Sequence, residues 1–122
     1  MTLIIGGEAQ GKRTCASGLA GSEPVTADCA VCQPEDIMSA ALIVNYHELV
    51  KRFPDSAEML TRRLCTENPG AVITLAEIGC GIIPVSREER IYRETAGRCG
   101  YILAENSEQV IRMLCGIACR IK

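Results

Sequence analysis

Thr2-Leu3-Ile4-Ile5-Gly6-Gly7-Glu8-Ala9-Gln10-Gly11-Lys12-Arg13-Thr14 is the stretch that decides how this chain is read. Thr2 to Gly6 is a short apolar run ending in glycine, which predicts a buried strand. Lys12 to Leu19 predicts a short helix stopped by Gly18 and Gly21. Between them, Gly6 to Lys12 has the G-x-x-x-x-G-K spacing of a phosphate-binding loop. Glycines let successive backbone amides converge on phosphate oxygens, the following helix offers its positive end, and Lys12 adds a charge for the β and γ phosphates. Such loops carry Ser or Thr after the lysine, where a hydroxyl holds Mg²⁺, but here that place is Arg13. Thr14 follows one position later, about 100° further round the helix. The candidate nucleotide-binding set is therefore Gly6, Gly7, Glu8, Ala9, Gln10, Gly11, Lys12, Arg13 and Thr14, with Lys12 also the candidate catalytic cation. The competing reading is a glycine-rich turn with no ligand.

Composition narrows what such a loop could serve. At 122 residues the chain suits one domain spanning 1–122. Hydrophobic residues at 48% and charged residues at 23% exclude bulk disorder. Aromatic residues are only 3%, so the core must be aliphatic, with Cys and Met as filler, and no base-stacking platform is available. Thirteen basic against fifteen acidic residues leave no footprint for a polyanion, which argues against nucleic acid as a partner. Apolar runs such as Ala40 to Val44 fall well short of a membrane span, and the start has neither a basic n-region nor a long apolar h-region. A cytoplasmic protein without membrane partners is expected.

Downstream, strands and helices alternate. Val25 to Cys29 predicts a short strand and Ala41 to Val44 a strand covered on both faces. Asp55 with Glu58 predicts the start of a helix carrying Leu60 and Leu64, ending near Asn68-Pro69-Gly70. Ala71 to Ala76 predicts another buried strand. Ser86 and Glu89 form a second capping box that opens the longest helix, whose apolar stripe is Ile91, Thr95, Cys99, Ile102 and Leu103. Glu89/Arg93 and Glu94/Arg98 have the favourable acid-first order four residues apart. Gln109 to Cys115 and Ile117 to Lys122 predict two strands joined at Gly116. Apolar strands alternating with helices imply a mostly parallel sheet sandwiched between helices.

A second group of residues follows the Ala71–Ala76 strand: Glu77-Ile78-Gly79-Cys80-Gly81-Ile82-Ile83-Pro84. Ligands of open α/β sheets bind where strands end, so this loop is suitably placed, and Glu77 could orient a metal-bound water or a substrate hydroxyl. Eight cysteines with no export signal read as reduced, small core residues, at least six of them, with Cys115 and Cys119 in strands. Cys29-x-x-Cys32 is the exception, a possible redox pair or half of a zinc site. No metal site is assigned. The lone His47, just past a strand, reads as structural.

From Glu77 to Arg98 the chain resembles the signature of the bifunctional adenosylcobinamide kinase / adenosylcobinamide-phosphate guanylyltransferase family of cobalamin biosynthesis. Its E-V-G-x-G-I-V-P, Arg and F-R-D-x-x-G-R elements are met by Glu77 to Pro84, Arg90, Tyr92-Arg93-Glu94 and Gly97-Arg98. Leu103-Ala104, the tail Gly116 to Lys122 and the loop Gly6 to Lys12 are similar to the family as well. The resemblance implies a P-loop NTPase-like α/β fold with a C-terminal strand pair, ATP or GTP as substrate with possible Mg²⁺, a cobinamide-like acceptor, and a homo-oligomer, with a trimer suggested. It implies Lys12 on the phosphates and Glu77 beside the acceptor. The chain departs from the family in the middle. Nothing between Thr14 and Ala40 matches the H-H-x-x-R-like context of the guanylylated histidine, Asn45 stands where a Walker B acid is expected, and Gly100-Tyr101 replaces an Asn-Gln pair. Three expectations follow: a shortened family member that binds nucleotide, a non-catalytic nucleotide-binding or assembly subunit, or a small cysteine-dependent protein.

Overall fold

A computed structural model describes residues 1–78 and 86–122. The loop from Gly79 to Pro84 singled out above lies outside the described residues. Those described form β1 (Thr2–Gly6), α1 (Lys12–Ala20), β2 (Thr26–Asp28), a 3-10 turn (Pro34–Met38), β3 (Leu42–Val44), α2 (Tyr46–Arg52), α3 (Ala57–Glu67), β4 (Val72–Ala76), α4 (Arg87–Asn106), β5 (Gln109–Leu114) and β6 (Ile117–Arg120). The strands make one sheet in the order β2-β3-β4-β1-β5-β6. All neighbours pair parallel except β5 and β6, which form an antiparallel hairpin. The expected α/β architecture with a mostly parallel sheet and a C-terminal strand pair is what the chain adopts. No helix among the described residues is long and apolar enough to cross a membrane.

Side chains alternate across each strand, so an apolar run feeds two cores. Leu3, Ile43, Ile73 and Val110 point to one face, packed under the 3-10 turn, α2, α3 and α4. Ile4, Leu42, Val44, Val72 and Ile111 point to the other, where α1 supplies Ala16. Helices on both faces explain why Leu42-Ile43-Val44 shows no polar alternation. Tyr46 is fully buried; its hydroxyl donates to Thr61 Oγ1 at 2.8 Å, and Thr61 passes its own proton to Ala57 O at 2.7 Å.

Several boundaries depart from the sequence reading. Gly18 lies inside α1, which ends at Gly21 (φ 92°). Ser56, not Asp55, occupies the N-cap of α3, and neither residue closes a side-chain cap there. Residues 46–52, read only as following a strand, form the helix α2. The Ser86 cap is as expected, with its Oγ accepting from Glu89 N at 3.1 Å. Ile91, placed on the apolar stripe of α4, is instead exposed, while Thr95, Cys99, Ile102 and Leu103 are buried. Arg98 turns away from Glu94 to meet Glu58 of α3 at 3.2 Å. Cys115 sits in the β5–β6 turn rather than in a strand. Of the seven described cysteines, all free, Cys29 and Cys99 are buried, Cys15, Cys32 and Cys65 are half-buried against the cores, and Cys115 and Cys119 are exposed; Cys80 lies outside the described residues.

Candidate functional site

Parallel strands deliver their C-terminal ends to one edge of the sheet, and the ends of β1, β3 and β4 frame a pocket there. It is lined by Ala9, Gln10, Gly11, Lys12, Arg13 and Thr14 from the first loop and helix, with Asn45 after β3 and Thr74 on β4. Ala9 (φ 55°) and Gly11 (φ 91°) adopt left-handed conformations within the loop. Mixing left- and right-handed residues is how successive amides come to face one anion. Gly11 serves as N-cap of α1 without a side-chain cap, and the first turn of α1 carries no acid. The helix N-terminus thus carries neither a side-chain cap nor a first-turn acid, an arrangement that suits an anion.

Lys12 Nζ donates to Gly7 O at 2.5 Å, arching over the loop. Partial burial pulls the Lys12 ammonium below its ordinary pKa, and the carboxylates of Glu8 and Glu77 oppose that shift. The structure therefore gathers the sequence-predicted cation, the loop and Glu77 at one place. Glu77 is also tied to the loop by its backbone, N donating to Gly6 O at 3.0 Å. Its carboxylate is clasped by Arg112 of β5, with Nε on Oε1 at 2.8 Å and Nη2 on Oε2 at 3.2 Å. The fork geometry holds it firmly for a partly exposed pair. Glu77 further borders a mostly apolar cleft of about 290 Å³ between the sheet and α4, beside Leu75, Arg93, Gly97 and Gly100.

The loop is braced from behind by the β5–β6 turn. Gly116 N donates to Gln10 O at 3.2 Å, and Cys115 N to Gln10 Oε1 at 2.5 Å. Cys115 (φ 52°) and Gly116 (φ 76°) both take positive φ, as the two central residues of a tight hairpin turn require. Gly6 approaches β5 so closely that a Cβ there would lie 2.8 Å from Met113 O.

A nucleotide-bound Mg²⁺ needs few protein ligands, all oxygen. Around the pocket these are neutral: Thr14, exposed at its rim, and Asn45, whose Oδ1 accepts no hydrogen bond among the described residues. They fit a hydrated ion held chiefly by phosphates, and Thr14 and Asn45 are the residues that would hold it. Mg²⁺ bound there would offset charge on the β and γ phosphates. Asp28, at the end of β2, was not singled out from the sequence. Its Oδ1 accepts from Asn45 Nδ2 at 3.1 Å and from Ala30 N at 3.0 Å.

His47 lies on α2 with its residue 9% exposed and Nδ1 buried without a partner among the described residues, while Nε2 approaches Glu48 Oε1 at 3.4 Å. Burial holds the imidazole below its ordinary pKa of 6.5; Glu48 and Glu8 pull the other way, and Lys12 and Lys51 reinforce the shift. A base whose pKa is depressed by folding binds fewer protons folded than unfolded, so its contribution is present above pH 6.5 and lost progressively as pH falls from 6.5 through the lower folded value. His47→Gln is therefore expected to lose less stability than the native chain between pH 7.5 and about 5.5, read as the difference in the two slopes of Tm against pH.

Cys29 and Cys32 hydrogen-bond through their side chains, and burial raises both thiol pKa values. Arg52 Nη1 donates to the carbonyls of both residues, at 2.8 and 2.9 Å. No group of three or more His, Cys, Asp or Glu able to hold a metal occurs among the described residues.

No curated protein matches this chain. The family described as "Cobinamide kinase / cobinamide phosphate guanyltransferase" matches residues 24–121. That span runs from the approach to β2 through β6, taking in Asn45, Glu77 and the β5–β6 brace but not the Gly6–Thr14 loop. It covers well over half of the 122 residues, and the mostly parallel sheet agrees with it. A kinase/guanylyltransferase type of function in cobalamin biosynthesis goes with the match, and the chain belongs to the cobinamide kinase / cobinamide phosphate guanyltransferase family.

Proposed function

We propose that residues 1–122 act as one nucleotide-binding domain that holds the phosphates of ATP or GTP at Gly6–Thr14 and transfers phosphate to a cobinamide-like alcohol. The observation that carries this reading is the loop itself: left-handed residues, an uncapped helix N-terminus and Lys12 converge on one pocket. Lys12 would leave Gly7 O for the β and γ phosphates. Glu77, between that lysine and the apolar cleft, would orient the acceptor hydroxyl. Guanylyl transfer is not assigned, because a covalent step needs an imidazole at the α phosphate and the only histidine, His47, is not in the family's context. Action in the cytoplasm and assembly into a homo-oligomer, a trimer by resemblance, fit this reading. The exposed Leu114 and Ile117 of the outer hairpin supply apolar surface for such contacts.

A second reading is favoured by two observations. Glu77 is already engaged by Arg112 and the hydroxyl after Lys12 is replaced by Arg13, an arrangement that suits a nucleotide-binding subunit without turnover. Thermal shift with ATP or GTP at about 100 times Kd is expected to stabilise the chain by about 2.7 kcal/mol. Absence of any shift with either nucleotide at millimolar concentration rejects both readings. Labelled γ-phosphate and cobinamide then divide them, since binding without phosphate transfer leaves the subunit.

A further inference from the structure

The end of β3 carries Asn45 where the resemblance leads one to expect a carboxylate, yet a carboxylate is present one strand away. Parallel pairing sets Asp28 opposite Val44, and this register brings the Asp28 side chain against Asn45. A carboxylate only accepts hydrogen bonds, so the limb of the Asn45 amide turned toward it must be Nδ2. Asn45 lines the phosphate pocket and Asp28 does not, so the limb left for the pocket is Oδ1. The backbone is held as well: Asn45 N donates to Thr74 Oγ1 at 3.0 Å, and Asn45 sits in a left-handed conformation (φ 58°) that Asn tolerates better than most residues. Asp28 is fixed in turn by Ala30 N. Both ends of the amide are thereby set before any ligand arrives.

We propose that Asp28 is a positioning residue of the phosphate site: it turns the Asn45 amide so that Oδ1 faces the pocket as an acceptor for the water shell of a divalent cation carried in on nucleotide phosphates. The Asp28–Asn45 pair then fills, across two strands, the place of a single acid at the end of β3. The charge stays one residue back from the phosphates, and it polarises the amide carbonyl that faces them. The inference rests on the proposal that this pocket binds nucleotide.

The test is the ratio of ATP or GTP affinity in millimolar Mg²⁺ to that in EDTA, measured by titration calorimetry on the native chain, Asp28→Ala, Asn45→Ala and the double variant. The native ratio is expected to be about tenfold. Each single variant should bring it to within about twofold of one, and Asp28→Ala, which removes no group lining the pocket, should leave the EDTA affinity unchanged. The double variant should be no worse than either single one, since Asp28 acts only through Asn45. Asp28→Asn keeps an oxygen for both donors and should retain most of the ratio. If Asp28→Ala fails to fold, Asn45→Ala, which leaves the Asp28 turn intact, decides in its place. An unchanged ratio in the single variants, additive losses, or a native ratio of one overturns the role of Asp28. A native chain that binds neither nucleotide under either condition overturns the nucleotide reading instead.

Discussion

Lys12→Ala is expected to weaken ATP and GTP binding by about 10- to 100-fold, the worth of one or two charge-assisted contacts to phosphate. In the structure Lys12 Nζ rests on Gly7 O, so its removal takes away one bond of the loop and the only cation close over it from the first turn of α1 besides Arg13. Arg13 is exposed and its fork cannot take the same path over the loop. Fluorescence or calorimetric titration with each nucleotide measures the change, and Lys12→Arg separates charge from reach. Affinity within twofold of native in Lys12→Ala would show that phosphates are not held here. Stability should move little, because the ammonium is only partly buried and its pKa is already depressed by that burial.

Gly6→Ala is expected to be the most damaging small substitution, costing about 2–4 kcal/mol and the same nucleotide binding. Its new Cβ would meet Met113 O at 2.8 Å and Met113 Cβ at 3.3 Å, and the first of these is backbone of a paired strand that cannot rotate aside. β1 and β5 would have to separate where they carry the loop, with Gly6 O also bound by Glu77 N. Thermal unfolding of the variant reads the cost, and a Tm within a degree or two of native would show that the strands yield easily at this point.

The strands were legible because each is a short apolar run and parallel sheets bury both faces, as Leu42-Ile43-Val44 and Val72 to Ala76 show. The turn from Gly6 to Lys12 was legible because the phosphate chemistry proposed for it demands glycine and lysine at set spacing. α2 was not: Asn45 with Glu48 three places on is a start signal that was passed over beside the strand, and in the structure Asn45 is left-handed and makes no side-chain cap. Asp28 escaped notice because its partner is 17 residues away and reached only through the pairing of β2 with β3. The same holds for Arg112, 35 residues from the Glu77 it clasps. Sequence spacing reports local geometry; which carboxylate faces which amide is decided by strand register. Ile91 shows the converse limit, since helical periodicity marked it as apolar-facing although the side chain is exposed.

Gln10 accepts hydrogen bonds from two amides lying 105 and 106 residues further along the chain. During synthesis the first strand, the glycine loop and the first helix therefore leave the ribosome long before their brace exists. On the proposed reading, capture of a triphosphate waits until residues 109–120 have emerged and closed the hairpin. A nascent or prematurely released chain lacking that ribbon would carry residues 6–14 without the turn that braces them.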